Sequence, residues 1–398
     1  MPATAHERTY KRKLTPAVDT PETIDVHTLQ DRRAHAPTHT TNTPTFLRAC
    51  RREAVVHTPV WFMRQAGRSL PEFREARKRH SLLEITRQPD LCAEVTLQPV
   101  RRLGVDAAIV VSDIVAPLIN IGVAIDLVEN VGPVIAQPIR SQADLAALRP
   151  LEPAADMGAI QETLRIVRRA LAGQDVALIG FVGAPFTLAG YLVEGKPSRD
   201  FIHTKQMMLD APTLWDALMT RLTEITLAFA RGQIAAGAQA IQVFDSWVGA
   251  LSPRDYARHV QPHMRRLFDG LRAPGFDIPS SIDLASIPRI HFGTGTATLL
   301  ELMAEAGGDV IGLDWRVPLD DGWARLGGPA RVAIQGNLDP VALTASWEAL
   351  HGEAADVLAR AGGRPGHIFN LGHGVLPTTP VENLERLVAF VHAYNGER

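Results

Sequence analysis

Eight short apolar runs recur along this chain, and a longer stretch with apolar residues at helical spacing follows nearly every one. No other feature of the sequence restricts the fold as much. The runs are PVWFM (59–63), AAIVVS (107–112), VALIGF (176–181), AIQVF (240–244), PRIHF (288–292), VIGLD (310–314), VAIQG (332–336) and HIFNL (367–371). Parallel neighbours in a sheet need crossovers of a dozen residues or more. Stretches such as 89–104 and 211–237, each with a glycine near its end, supply them. Eight such units close into a (β/α)₈ TIM barrel of the α/β class. An open doubly wound sheet is the rival, and no GxGxxG follows any run to support it. The expectation is therefore one barrel domain over residues 44–398. Residues 1–43 are rich in Thr, Pro, His and Arg without apolar periodicity, and read as a disordered tail. Glu7, Asp19, Glu22, Asp25 and Asp31 speak against a transit peptide in that tail, and its first residues lack the apolar core of a signal peptide.

A length of 398 residues, 46% apolar and 21% charged, suits a globular enzyme with one elaborated barrel. The net charge of −2 gives no electrostatic reason for nucleic acid or a membrane surface as partner. Almost every cation is an arginine, the lysines being only Lys11, Lys13, Lys78, Lys196 and Lys205. Cys50 and Cys92 cannot build a disulfide framework or a four-thiolate metal site, which points to reduced thiols and a cytoplasmic setting. The charge-free stretch 176–193 has the length of a membrane span, but Gly180, Gly183, Pro185 and Gly190 fit a buried strand, loop and helix better.

Barrel chemistry gathers at the carboxyl ends of the strands, so the residues that follow each run are the candidate site. Arg64-Gln65-Ala66-Gly67-Arg68 follows the first run and Asp113 the second; Tyr191 comes after the third, Ser246 after the fourth, and Gly372-His373-Gly374 after the eighth. Arg64 and Arg68, with Arg74 and Arg77 beyond, form a forked donor set suited to carboxylates or phosphates. At about 4 Å and an effective dielectric near 20, each such contact is worth roughly 4 kcal/mol of Coulomb attraction before desolvation. Arginines at this spacing are also common on solvated helix faces. Asp113 could pair with those arginines or accept N–H donors from a ligand. His373 between two glycines could approach a ligand or simply cap a loop. Tyr191 and Ser246 are weaker signals alone, and Gly293-Thr294-Gly295-Thr296 could cup a phosphate on its amides. No lysine stands at a strand end for Schiff-base chemistry, and neither GxSxG nor HExxH occurs. No clustered His/Cys set is visible for zinc.

At these strand ends the chain resembles the uroporphyrinogen decarboxylase family. The matching segments are PVWFMRQAGRSLPEFR (59–74), VSDI (111–114), GFVGAPFTLAGYLVEG (180–195), FDSW (244–247), HFGTGT (291–296), IGLDWRVPL (311–319), QGNLDP (335–340) and FNLGHGVLPTTP (369–380). The resemblance implies a (β/α)₈ barrel, a homodimer, no metal and no organic cofactor. It further implies conversion of uroporphyrinogen III to coproporphyrinogen III by loss of CO₂ from four acetate arms. It places substrate contacts on Arg64, Gln65, Ala66, Gly67, Arg68, Arg77, Asp113, Tyr191, Ser246 and His373, with Asp113 accepting the pyrrole N–H groups. Arg64, with His373 and Tyr191 as the other choices, is the group implied for protonation. Ser69 departs from the tyrosine usual in the family after RQAGR. Two other readings remain to be separated. A cobamide-dependent methyltransferase would need zinc thiolates where this chain has His291-Phe292-Gly293 and Leu371-Gly372-His373. A non-catalytic porphyrin carrier would be expected to lose Asp113.

Overall fold

The computed structural model describes residues 43–394 except Arg68, Glu129, Asn130 and Phe276. The tail read from residues 1–43 thus lies outside the described residues save for Thr43. The strands are β1 (Ala107–Ile109), β2 (Ile125–Val128), β3 (Gly132–Ile135), β4 (Ala177–Gly183), β5 (Ala240–Asp245), β6 (Arg289–Gly293), β7 (Val310–Gly312), β8 (Ala333–Leu338) and β9 (His367–Leu371). Seven of them form one parallel sheet in the order β1-β4-β5-β6-β7-β8-β9. Apart from the β2–β3 hairpin, neighbours in sequence are neighbours in the sheet, as the alternating pattern requires.

The first run, 59–63, closes the barrel in a different manner from the others. Val60 makes a single parallel bridge to Phe369 of β9, while the Asp106 amide donates to Val60 O on the β1 side. The segment 59–63 therefore fills the place between β9 and β1 without forming a regular strand. The reason lies in who accepts its N–H groups. The Val60 amide donates to Asp106 Oδ2 (2.7 Å), Phe62 to Gln65 Oε1 (3.0 Å) and Met63 to Asn370 Oδ1 (3.2 Å). Side-chain oxygens take three of its amides, and Trp61 alone donates to a ladder carbonyl, Phe369 O. The backbone is satisfied, as a buried backbone must be, but the geometry is no longer that of a strand.

Helices pack around this sheet where the periodicity placed them. Pro89–Leu103 ends at Gly104 in the left-handed region (φ 71°), and Pro212–Ala235 covers the 211–237 pattern. Both begin with proline at the first helical position, where no amide bond is lost. The stretch 176–193 is buried β4 followed by the helix Pro185–Glu194. Among the described residues no helix is long and apolar enough to cross a membrane. An antiparallel hairpin, β2–β3, is inserted between β1 and β4 and leans on that helix's end, with the Ile135 amide donating to Gly195 O.

Candidate active site

The turn after the closing segment presents Arg64 and buries its neighbours. Residues 63–67 form consecutive turns, with the Gln65 amide donating to Phe62 O and the Gly67 amide to Arg64 O. Arg64 holds φ at 64°, a left-handed conformation that costs an arginine about 1–3 kcal/mol. Its side chain is exposed, and among the described residues its guanidinium takes no hydrogen bond or salt bridge. Gln65 points the other way. It is 1% exposed, and its amide bridges Phe62 N and Ala107 O, lacing the closing segment to β1. The side chain of Gln65 is thus committed to the barrel wall, and Ala66 is buried beside it.

Asp113 stands past the end of β1, half-buried, with Oδ1 accepting the Val115 amide at 3.0 Å. Desolvation pushes its carboxyl above the ordinary aspartate range, against the Val115 and Ile114 amides and the charge of Arg64, which lower it. Desolvation wins. Tyr191, on the helix Pro185–Glu194, feels both charges: burial first and the charge of Asp113 raise its phenol, the Trp247 contact and Arg64 lower it, and the balance leaves it pushed up to about 12. Tyr191 is therefore a neutral hydrogen-bonding group at any working pH. Its ring meets Trp247 edge to face, centroids 5.9 Å apart.

From Tyr191 the contacts run on around the mouth. Trp247 follows Ser246 directly after β5, and the Ser246 carbonyl accepts the Thr294 hydroxyl at 2.5 Å. The Gly295 amide donates to Asp314 Oδ2, and Asp314 also pairs with Arg316 at 2.7 Å. Gly372 lies against the backbone of Trp315, where a Cβ could not fit. Gly374 receives the stem of Arg64: a Cβ there would stand 2.5 Å from its Cδ. The loop after β5 is thus tied to that after β6, that to the loop after β7, and that in turn packs against the Gly372–Gly374 loop which receives the Arg64 stem, so loops around the rim hold one another. His373 sits half-buried between the two glycines of that seam.

Several sequence expectations change in this light. The amides and hydroxyls of Gly293–Thr296 do not form an open phosphate cup, because Gly295 N–H, Thr294 Oγ1 and Thr296 Oγ1 already donate to Asp314, Ser246 and Gly293. Arg77 donates to His80 O at the end of its own helix, Pro71–Arg79, and no described contact ties it to Asp113. Arg68 lies outside the described residues. Asp245, Thr187 and Trp247 were missed as supports: Thr187 Oγ1 donates to fully buried Asp245 (3.0 Å) and accepts the Trp247 amide (3.3 Å), fixing the indole against Tyr191. FDSW was the available signal, read for its serine alone. Among the described residues one group of three His, Cys, Asp or Glu side chains converges as metal ligands do, and none of its members lies on this rim. The mouth thus combines a half-buried carboxylate, a guanidinium with no salt bridge among the described residues, a protonated phenol and a histidine. Such a set holds a polyanion and places a fixed negative charge beside it.

Comparison with known proteins agrees in extent and kind. Residues 41–394 match the family model described as uroporphyrinogen decarboxylase. A protein named uroporphyrinogen decarboxylase from Streptomyces coelicolor is 55% identical over 90% of this chain and 97% of its own length. One from Carboxydothermus hydrogenoformans is 50% identical over 87% and 95%. Among solved structures, a methyltransferase from Methanosarcina mazei superposes with a TM-score of 0.71 at 19% identity, covering 87% of this chain and 97% of its own, which is a likeness of fold.

Proposed function

Because the chain belongs to the uroporphyrinogen decarboxylase family, we propose that the rim around Asp113 is where it removes CO₂ from uroporphyrinogen, a carboxy-lyase reaction of porphyrin and haem synthesis. The observation that carries this reading is the electrostatic link between Arg64 and Asp113: a strained, exposed guanidinium with no salt bridge among the described residues, whose charge acts on a half-buried carboxylate that burial keeps from ionising easily.

On this reading the substrate is uroporphyrinogen III and the product coproporphyrinogen III, reached by four successive losses of acetate CO₂. Arg64 and Arg68 receive substrate carboxylates, which suits a fork of five N–H donors. Ser246, His373 and the backbone of Ala66 and Gly67 complete the contacts. Asp113 accepts the pyrrole N–H groups of the ring under attack. Protonation of that ring creates a cation that draws electrons from the breaking C–C bond, and a pre-placed carboxylate stabilises it as it forms. Tyr191, whose phenol is pushed up to about 12, orients substrate as a neutral hydrogen-bond donor. Arg64, whose charge acts on Asp113, is the group we assign to protonation of that ring. No metal or organic cofactor enters this scheme. The methyltransferase reading has no thiolate to recommend it, since the only cysteines are buried Cys50 and Cys92. A porphyrin carrier would have no use for a carboxylate held at a desolvation cost. A homodimer and a cytoplasmic setting follow from the family resemblance and the two free thiols; sedimentation and localisation of a tagged chain test them.

The direct test is anaerobic incubation of purified protein with uroporphyrinogen, resolving products by carboxylate number. Stepwise appearance of seven-, six-, five- and four-carboxylate species is expected. Unchanged substrate would refute the reading.

A further inference from the structure

Three side chains that catalysis does not use converge at the opposite end of the barrel. Asp106 stands one residue ahead of β1, at the amino-terminal end of the strands. His57 lies on the segment leading into the closing run, and His392 on the last helix, Val381–Ala393. Asp106 Oδ1 is 3.0 Å from His57 Nε2, and Oδ2 is 2.7 Å from His392 Nε2 and 2.7 Å from the Val60 amide. The imidazoles meet edge to face with centroids 4.5 Å apart. One atom from each residue, two nitrogens and an oxygen, all fall within 4.8 Å of one another.

The surroundings suit a cation. Burial raises the Asp106 carboxyl, but His392 and His57 outweigh it and hold the group far below the usual carboxylate range. The Asp106 side chain is 6% exposed, whereas His57 and His392 are 22% and 17% exposed, which leaves solvent a way in. Two imidazoles with one carboxylate form a nitrogen-rich set of intermediate softness. Zinc, cobalt and nickel take such sets; magnesium and calcium prefer all-oxygen ones.

We propose that His57, Asp106 and His392 form a binding site for a divalent transition cation of the zinc type, completed by water, across the closing seam of the barrel. Each ring coordinates through Nε2 as neutral imidazole with its remaining proton on Nδ1, and any second ring proton leaves to solvent. Tetrahedral bonds of about 2.0–2.1 Å require the two rings to draw together around the carboxylate. The location gives the site a purpose. Its ligands come from the chain leading into the closing segment, from the residue ahead of β1 that bonds to that segment, and from the last helix, so only the closed barrel assembles it. A ligand bound by the folded state alone stabilises that state by mass action.

Titration of the full-length protein with ZnCl₂ by calorimetry, and with Co²⁺ by visible absorption, tests this. The variants are His57→Gln and His392→Gln, in which the amide N–H can still reach Asp106. Wild type is expected to bind one ion per chain, to show the intense visible bands of four-coordinate Co²⁺, and to melt about 3–4 °C higher at a hundred times Kd. Each variant is expected to bind at least tenfold more weakly while keeping metal-free turnover. Absence of stoichiometric binding to wild type overturns the proposal, as does undiminished binding by the variants. If one variant fails to fold, the other decides.

Discussion

Replacing Gly374 by alanine separates the position of the Arg64 guanidinium from the stability of the barrel. The new Cβ would stand 2.5 Å from Arg64 Cδ and 2.8 Å from Cγ. Carbon atoms rest at about 3.5–4.0 Å, so the stem must withdraw by about 1 Å. The arginine stem is flexible and can do so, but its fork then no longer meets a carboxylate of a substrate whose ring is held on Asp113. A misplacement of about 1 Å in a reacting complex costs on the order of 100-fold in rate, or about 2.7 kcal/mol. Gly372→Ala is the control. Its Cβ would strike the backbone of Trp315, which cannot turn aside, so the penalty there falls on folding, at about 1–3 kcal/mol. Anaerobic steady-state kinetics with uroporphyrinogen and thermal melts of both variants read the difference. Gly374→Ala should lose about 100-fold in kcat/KM at a nearly unchanged Tm, and Gly372→Ala should lose Tm. Wild-type kcat/KM in Gly374→Ala would refute the reasoning about Arg64, and so would a Tm loss equal to that of Gly372→Ala.

Three further outcomes follow from the same geometry. Burial raises the Asp113 pKa and the charge of Arg64 lowers it, so the acid limb of kcat/KM should lie above the ordinary aspartate value of 3.8 and move higher still in Arg64→Ala; a limb that moves down would contradict the pairing. A carboxyl with a raised folded-state pKa destabilises the fold when ionised, so Asp113→Asn should increase stability at neutral pH, with the gain vanishing below about pH 4, as denaturant melts at both pH values would show. Gln65→Leu should orphan Phe62 N and Ala107 O and cost about 1–3 kcal/mol per unsatisfied group in urea unfolding, while KM in the folded fraction stays near wild type.

The barrel was legible because strand and helix periods differ and the chain alternates between them with little interruption. Arg64, Asp113, Tyr191 and His373 were legible because position after an apolar run is itself a coordinate in a parallel barrel. What escaped the sequence depends on partners that spacing does not encode. The run 59–63 has the composition of a strand, yet Asp106, Gln65 and Asn370 take its amides and leave one bridge. Gln65 sits inside the RQAGR segment but faces the wall. The Gly-Thr-Gly-Thr loop looks open in sequence and is closed by Ser246 and Asp314. The hairpin β2–β3 is too short for its alternation to stand out. His57 and His392 meet at Asp106 only because the first and last elements of a closed barrel are neighbours.

The most direct measurement is the turnover of Asp113→Asn set beside its affinity for the tetrapyrrole. Asparagine keeps the size of the side chain and an acceptor oxygen while removing the charge. Binding of coproporphyrinogen within a few-fold of wild type, with kcat reduced by about 10²–10³-fold, is the predicted result, since removing one electrostatic contact to developing charge typically costs about 2.7–4 kcal/mol. A kcat within threefold of wild type would mean that no anion is needed beneath the reacting ring.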